Sequence, residues 1–237
     1  KLVVLLEREG WRASTSMVGR ILKRLKETGV LREAPANGIS ARKRQRPRPY
    51  AIRKPKGYTV REPGDLVEVD TLDVRPIPGV VLKHYTARDL VSRWDVLGVY
   101  TRATATTASA FLDQLLQRMP FTVRAIQVDG GSEFQAVFEQ ACQRKGLSLF
   151  VLPPRSPKLN GHVERAQRTH TEEFYELYDG DLEVEPLNRA LRAWEGVYDT
   201  VRPHQSLRYL TPQQFLALQP SNAPGTSRPS ARKGQGA

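Results

Sequence analysis

From Gly64 onward the hydrophobic period of the chain changes in a fixed order, and that order limits the folds open to it. Leu66-Val67-Glu68-Val69-Asp70 alternates with period two, and residues 80–87 and 94–100 follow as strand-like runs. Three strands at such short spacing predict an antiparallel meander. Residues 106–119 then carry Ala110, Phe111 and Leu115 at helical spacing, and residues 123–128 form a buried strand that runs into Asp129. Residues 133–145 predict a helix and 147–152 a strand, after which a proline-rich turn leads to a helix from Asn160. The order β-β-β-α-β-α-β-α describes an α/β domain: a mixed five-stranded sheet flanked by helices. A last long helix is expected over about residues 185–199, and a short one after Thr211-Pro212, where proline suits the first turn. No internal repeat is present.

Charge divides the chain differently from hydrophobicity. The net charge is +12. Residues 1–61 hold 17 Lys/Arg against 4 Asp/Glu, whereas the remainder holds 20 against 21. A basic excess confined to one end is the electrostatic footprint of a polyanion, because each neutralised phosphate releases condensed counterions. Within that end, residues 1–33 read as part of a helix-turn-helix or winged-helix module. Ser14, Thr15 or Ser16 caps a helix with Val18, Ile21, Leu22 and Leu25 on one face. Arg20, Lys23 and Arg24 interleave with that stripe and are candidate DNA contacts. Gly29 is a stop, and Val30-Leu31 is a candidate wing strand. Lys1 falls inside this helical pattern, so the natural chain is expected to begin upstream.

Residues 34–61 hold nine Lys/Arg, four Pro and no acid. Such a segment cannot bury enough apolar surface to fold alone. It reads as a linker that tracks phosphates through Arg42, Lys43, Arg44, Arg46 and Arg48 and orders on DNA. Residues 62–219 form the main domain, and residues 220–237, rich in Ser, Gly, Pro and Ala, read as a disordered tail. No apolar run reaches the roughly 18–20 residues of a membrane span. The single cysteine, Cys142, lies in a helical apolar pattern and reads as core in a reducing compartment. Trp11, Trp94 and Trp194 likewise read as packing residues.

A polyanion with phosphodiester bonds directs attention to the acids. Phosphodiester hydrolysis and transesterification at neutral pH need an activated hydroxyl and relief of charge at phosphorus, which two Mg²⁺ ions roughly 4 Å apart supply. Mg²⁺ takes few carboxylates and keeps waters, so a site calls for about three converging acids. Asp70 ends an alternating strand, Asp129 terminates a buried one and enters Gly130-Gly131, and Glu164 lies one turn into a helix that Asn160 can cap. Singly, each acid reads as a surface residue; in combination they match one chemistry. His84, His162, His170 and His204 show no metal-ligand spacing, and Arg202-Pro203-His204 reads as a structural block that seats the last helix.

The segments Val69-Asp70-Thr71, Val128-Asp129-Gly130-Gly131-Ser132-Glu133-Phe134 and Ser156-Pro157-Lys158-Leu159-Asn160-Gly161-His162-Val163-Glu164-Arg165 resemble the three signature blocks of the DDE transposases and retroviral-type integrases. The last two acids are separated by 34 residues, close to the spacing in that family. The ending Tyr198-Asp199-Thr200-Val201-Arg202-Pro203-His204-Gln205-Ser206-Leu207, then Leu210-Thr211-Pro212, resembles the end of bacterial insertion-sequence transposase cores. The resemblance implies a ribonuclease-H-like fold and metal-dependent cleavage of transposon ends, followed by 3′-hydroxyl strand transfer into target DNA. Asp70, Asp129 and Glu164 would be both catalytic residues and ligands of two Mg²⁺ or Mn²⁺ ions. It further implies double-stranded DNA as partner, a homo-oligomer in a synaptic complex, and the cytoplasm of a bacterium, at the nucleoid, as the place of action. Relatives often carry Asn where this chain has Gly130, and a basic residue where it has Thr171. Lys158 and Arg168 are therefore the candidates for holding DNA ends near the acids. Two other readings stand beside this one: a catalytically silent DNA-binding regulator derived from a transposase, and a metal-dependent nuclease of the same fold acting on RNA–DNA hybrids, a class that relies on a different set of acids.

Overall fold

The computed structural model describes residues 2–31, 48–153 and 161–219. The chain divides into two compact units, Lys1–Pro47 and Arg48–Ala237.

In the first unit, α1 (Leu2–Arg8) and α2 (Thr15–Glu27) are joined by a short turn. Ser14 supplies the cap, its hydroxyl accepting the Met17 N–H at 3.2 Å, which ties down one of the otherwise orphaned donors of the first turn. Gly29 follows α2 at φ +72°, the left-handed conformation that a helix stop requires. Val30 and Leu31 form a bend, so the wing strand expected there is absent from the described residues. No side chain of α1 or α2 is buried. Trp11, expected to pack, is 69% exposed.

The second unit is built on five strands: β1 (Val67–Val74), β2 (Leu82–Asp89), β3 (Asp95–Tyr100), β4 (Ala125–Val128) and β5 (Ser148–Val151). Their order in the sheet is β3-β2-β1-β4-β5. The meander β1-β2-β3 is antiparallel, and β4 and β5 extend it in parallel from β1. Residues 62–219 thus contain the expected mixed sheet.

Strand alternation sorts the side chains onto two unlike faces. Val67, Val69, Tyr85, Ala87 and Val96 point into a core closed by α3 (Ala105–Arg118) and α4 (Val137–Arg144). Phe111, Leu112, Leu115, Phe138 and the buried Cys142 fill it; burial pushes the Cys142 thiol up to about 12, as expected of a packing residue. On the opposite face Leu82, Leu97 and Val99 meet Leu187 and Leu191 of α6 (Val184–Thr200) and Phe174 of a π-helical stretch, Thr171–Tyr175. That stretch continues α5 (Gly161–His170), and a short α7 (Pro212–Ala217) closes the described chain. The helix expected over 133–145 is broken: Ser132–Phe134 is a 3-10 turn, and Ala136 at φ +48° separates it from α4. Asn160 and the tail beyond residue 219 lie outside the described residues.

The basic linker differs most from expectation. Tyr50, Ala51, Tyr58 and Val60 pack on the core, and the second compact unit begins at Arg48. Ile52 bridges Phe150 in parallel, its N–H donating to Leu149 O and its carbonyl accepting from the Val151 N–H. This covers the open edge of β5, whose backbone groups would otherwise lack partners. Tyr50 donates to Leu147 O at 2.6 Å, and the Tyr58 ring packs edge-on against Phe150. The apolar residues interleaved with the cations make this possible. Arg48 is therefore not a free DNA contact: its Nε lies 2.5 Å from Glu139 Oε1, and a second guanidinium nitrogen donates to Phe134 O.

Glu139 is 1% exposed, so removing Arg48 strands a buried charge. Arg48→Ala is expected to lower unfolding free energy by about 3 kcal/mol, measurable by urea denaturation. Unchanged stability with weakened DNA binding would return Arg48 to the DNA interface.

Buried histidines give a second expectation. His84 is enclosed, with Nδ1 2.9 Å from Tyr175 OH and Nε2 2.9 Å from Thr86 Oγ1. Burial, then the neighbouring His170 ring, lowers its pKa to about 3. The fold thus holds the neutral ring, and the unfolded chain binds the extra proton below about pH 6.5. Stability from this group is present above that pH and is lost as pH falls toward 3. Relative to His84→Gln, the wild type should lose about 1.4 kcal/mol per pH unit between about pH 6 and 4. Parallel stability curves would show that His84 is protonated in the fold.

Candidate active site

The parallel register of β1 and β4 sets the first two acids side by side. Val69 pairs with Val128, so Asp70 and Asp129, the next residue on each strand, emerge at the same level. Asp70 does not end its strand, as the alternation had implied: β1 runs on to Val74, still paired with β2. What ends beside Asp70 is β4, leaving the carboxyl at an open notch in the sheet. Asp129 turns the chain away, its Oδ1 accepting the Gly131 N–H at 2.8 Å. A Cβ on Gly131 would lie 2.7 Å from Glu133 Oε2 and 2.9 Å from Asp129 Oδ1, closer than real side chains come. Both are ends of flexible side chains that could shift aside, and Gly130 faces open space.

Glu164 arrives on α5. Val163, Ala166, Gln167 and His170 form that helix's buried stripe, the i, i+3, i+4, i+7 pattern of a docked face. Glu164 flanks it and is exposed. Two polar contacts from β1 fix the helix: Glu68 Oε2 accepts the Val163 N–H at 3.2 Å, and Gln167 Nε2 donates to Asp70 Oδ2 at 3.3 Å.

Deeper in the same face, Arg88 of β2 grips Asp95 of β3 with two bonds of 2.8 Å and donates to His162 O at 3.2 Å. Arg88 also reaches the Tyr198 hydroxyl. At the far end of α5, His170 Nε2 lies 3.0 Å from Asp95 Oδ2, and Trp194 Nε1 donates to His170 Nδ1 at 3.0 Å. Since Nδ1 accepts, Nε2 carries the proton it gives to Asp95. Burial opposes ionisation of Asp95, but Arg88 and His170 hold its carboxyl below the usual range.

The electrostatics of the notch follow from its acids. Burial first, then the charges of Asp129 and Glu164, push Asp70 up to about 6, against the Thr71 N–H and the Gln167 amide, which lower it. Glu68 is pushed up to about 7 by burial, with the Val163 N–H and Lys54 opposing. Asp70 therefore lies within the fields of both other predicted acids. As the side chains lie, no three His, Cys, Asp or Glu among the described residues gather closely enough to enclose a metal ion.

The remaining predicted residues are scattered. Arg20, Lys23 and Arg24 are exposed on α2, with Lys23 3.7 Å from Glu27. Arg168 is 79% exposed and pairs with Glu172 at 2.7 Å. Arg42, Lys43, Arg44, Arg46 and Lys158 lie outside the described residues. His162 is exposed, its Nδ1 3.1 Å from an Arg93 nitrogen. Arg202 pairs with Glu173, and His204 Nε2 sits 3.3 Å from Tyr198 O, placing that block against α6 as a structural element. Sequence reasoning missed Glu68, Arg88, Asp95, Gln167 and His170. Glu68 alone carried a signal, sharing the strand face of Asp70 at i, i+2.

Residues 145–212 match the integrase core domain family. The chain is 23% identical to the insertion element IS407 uncharacterized 31.7 kDa protein of Burkholderia multivorans, across 92% of this chain and 74% of that protein. Among solved structures it resembles the BIV integrase catalytic core domain, with 25% identity, 63% of this chain, 91% of that one and a TM-score of 0.51. It also resembles the HTLV-2 integrase catalytic core domain in complex with magnesium, with 13% identity, 65% and 96% coverage and a TM-score of 0.52. A chain of the simian T-cell lymphotropic virus intasome in complex with PP2A regulatory subunit B56 gamma matches at 17% identity and a TM-score of 0.57, over 80% of this chain. The match spans 65% of that longer chain. The sheet and its flanking helices are thus ribonuclease-H-like. An integrase-core sequence match, an insertion-element relative and an integrase-core fold together make the chain similar to the DDE transposases and integrases.

Proposed function

We propose that the chain cleaves transposon DNA ends and transfers the freed 3′-hydroxyl to target DNA, with Asp70, Asp129 and Glu164 as its catalytic acids. The observation that carries this reading is the level placement of Asp70 and Asp129 on adjacent parallel strands, with Glu164 close enough to act on the Asp70 charge. Three acids, one of them raised by burial and by the charges of the other two, suit a divalent cation, whose charge would favour the ionised form of Asp70. These acids would hold two Mg²⁺ or Mn²⁺ ions. When bound, such ions activate a hydroxyl and neutralise charge at phosphorus. The chain's own part is to aim the carboxylates, through the turn at Gly131 and the seating of α5, and to hold DNA through cations outside the sheet. Double-stranded DNA is the partner, and paired ends require more than one copy of the chain. The proposed setting is the bacterial nucleoid; no helix among the described residues is long and apolar enough to cross a membrane.

A second reading, a DNA-binding regulator that retains the fold without turnover, draws on one observation: the acids do not close on a common point as they lie. Strand-transfer assays on the DNA ends of the element, with Mg²⁺, separate the two. The wild type should join ends, chelation should stop it, and Glu164→Gln should reduce joining to background while leaving DNA affinity within about twofold. Mn²⁺ should broaden the amide resonances of residues 128–131 in the wild type. Joining by Glu164→Gln at the wild-type rate would remove Glu164 from the site, and a wild type without joining or Mn²⁺ broadening would favour the regulator.

DNA affinity is assigned to the cations of the basic segment that lies before Arg48. Neutralising Arg42, Lys43, Arg44 and Arg46 together should weaken binding to all sequences. The log–log salt slope should flatten by about 0.9 for each phosphate that is no longer neutralised. An unchanged slope would place the DNA interface elsewhere.

A further inference from the structure

Glu68 is 2% exposed, an unusual site for a carboxylate, and its two oxygens are shared between different elements. Oε1 accepts from Gln127 Nε2 at 3.2 Å, and Oε2 accepts from the Val163 N–H at 3.2 Å. Gln127 is the direct partner of Glu68 across the parallel β1–β4 pairing and lies two residues before Asp129. Val163 immediately precedes Glu164. Glu68 itself stands two residues before Asp70. One buried carboxylate therefore joins the three elements that carry the three acids, at nearly the same chain distance from each.

The spacing of these contacts is matched as well. Glu68 and Asp70 are two strand residues apart, about 6.7 Å at the usual rise. Their partners on α5, Val163 and Gln167, are four helix residues apart, about 6 Å. Equal repeats let β1 and α5 meet at two successive rungs, Glu68 to the backbone and Asp70 to the Gln167 amide. A slip of α5 by one residue would break both rungs and turn Glu164 by about 100° away from the notch. The slip would also turn the buried Val163 and Ala166 off the sheet, so packing and the directional bonds to the buried acceptor specify the same register.

We infer that Glu68 is a positioning residue, fixing the axial and rotational register of α5 on β1 so that Glu164 is presented to Asp70 and Asp129. The inference rests on the strand-transfer reading for its kinetic consequence and on the hydrogen bonds alone for its structural one. With Glu68 2% exposed, the role inferred for it runs through α5. Glu68→Gln keeps an acceptor for the Val163 N–H, whereas Glu68→Ala leaves that N–H and the Gln127 amide without it.

The experiment compares the full wild-type chain with both variants, each verified as folded by near-ultraviolet circular dichroism. Removing a group that orients a ligating side chain commonly lowers activity or metal affinity by about 10–100-fold. Glu68→Ala should therefore lower kcat for strand transfer in that range and raise the Mg²⁺ concentration for half-maximal rate about tenfold, with KM for DNA unchanged. Glu68→Gln should restore most of the rate. A merely structural role would instead lower the active fraction, leaving the metal dependence in place. Hydrogen exchange supplies a readout independent of catalysis: protection of the Val163 and Glu164 amides should drop in Glu68→Ala and return in Glu68→Gln. Should the wild type join no ends, the strand-transfer reading fails, and exchange alone decides the role of Glu68. Wild-type kcat and metal dependence in folded Glu68→Ala, or unaltered exchange at those amides, would overturn the inference.

Discussion

The constraint on which the site depends is the seating of α5 on a polar sheet face. Most helices that cover a sheet are held by apolar side chains, as α3 and α4 are here. Beneath α5 the sheet presents Glu68, Asp70, His84, Thr86 and Arg88, and all but Asp70 are buried. Burying such groups is unfavourable unless each finds a partner. The helix supplies three, the Val163 N–H to Glu68, the His162 carbonyl to Arg88 and the Gln167 amide to Asp70, and its His170 ring meets the buried Asp95. A buried ion pair such as Arg88–Asp95 is a weak source of net stability, since desolvation offsets much of its attraction. Its physical consequence here is orientation, because an unmatched partner on either side would carry the full desolvation penalty.

The sheet beneath α5 is equally specific about the other two acids. Asp70 and Asp129 come from strands far apart in the chain, and only the parallel pairing of β1 with β4 brings them level. In an antiparallel pairing the residues after Val69 and Val128 would leave in opposite directions. The meander on one side and the parallel crossover on the other therefore have different roles: β2 carries β1 past Asp70, while β4 stops beside it and opens the notch.

Much of this was legible in the sequence for a simple reason. Elements with strong periodicity, such as Val67–Glu68–Val69 or Phe111–Leu112–Leu115, declare which face they bury, and the acids were found by their places after such runs. What was not legible depends on partners that are remote in sequence. Nothing local distinguishes Arg88, which meets Asp95 and His162, from a surface arginine. The ion pair of Arg48 was not legible because its charge matched its neighbours, while its partner Glu139 lies 91 residues away. The linker was misjudged because a charge count overlooks Tyr50, Ile52 and Tyr58, which suffice to cover an open sheet edge. The strand expected to end at Asp70 ran on because β2, not composition, determines its length.

These features bear on why the three acids do not close on a common point as the chain lies. Three carboxylates held at ligating distance without a cation would repel one another at close range, and the raised Asp70 already registers part of that repulsion. A fold can either bury the repulsion, which destabilises it, or leave one acid exposed on a side chain with free torsions and fix only its backbone. Here the backbone of α5 is fixed at both ends, by Glu68 and Arg88 at the start and by Asp95 at His170, while the Glu164 carboxylate faces solvent. A cation would then need to reorder one side chain rather than move a helix, and the entropy of ordering a single glutamate is about 1.5–2 kcal/mol. That is small beside the attraction between a divalent ion and three carboxylates, so if these acids hold a cation as proposed, leaving Glu164 exposed would keep the stability of the fold and the affinity for the ion from opposing each other.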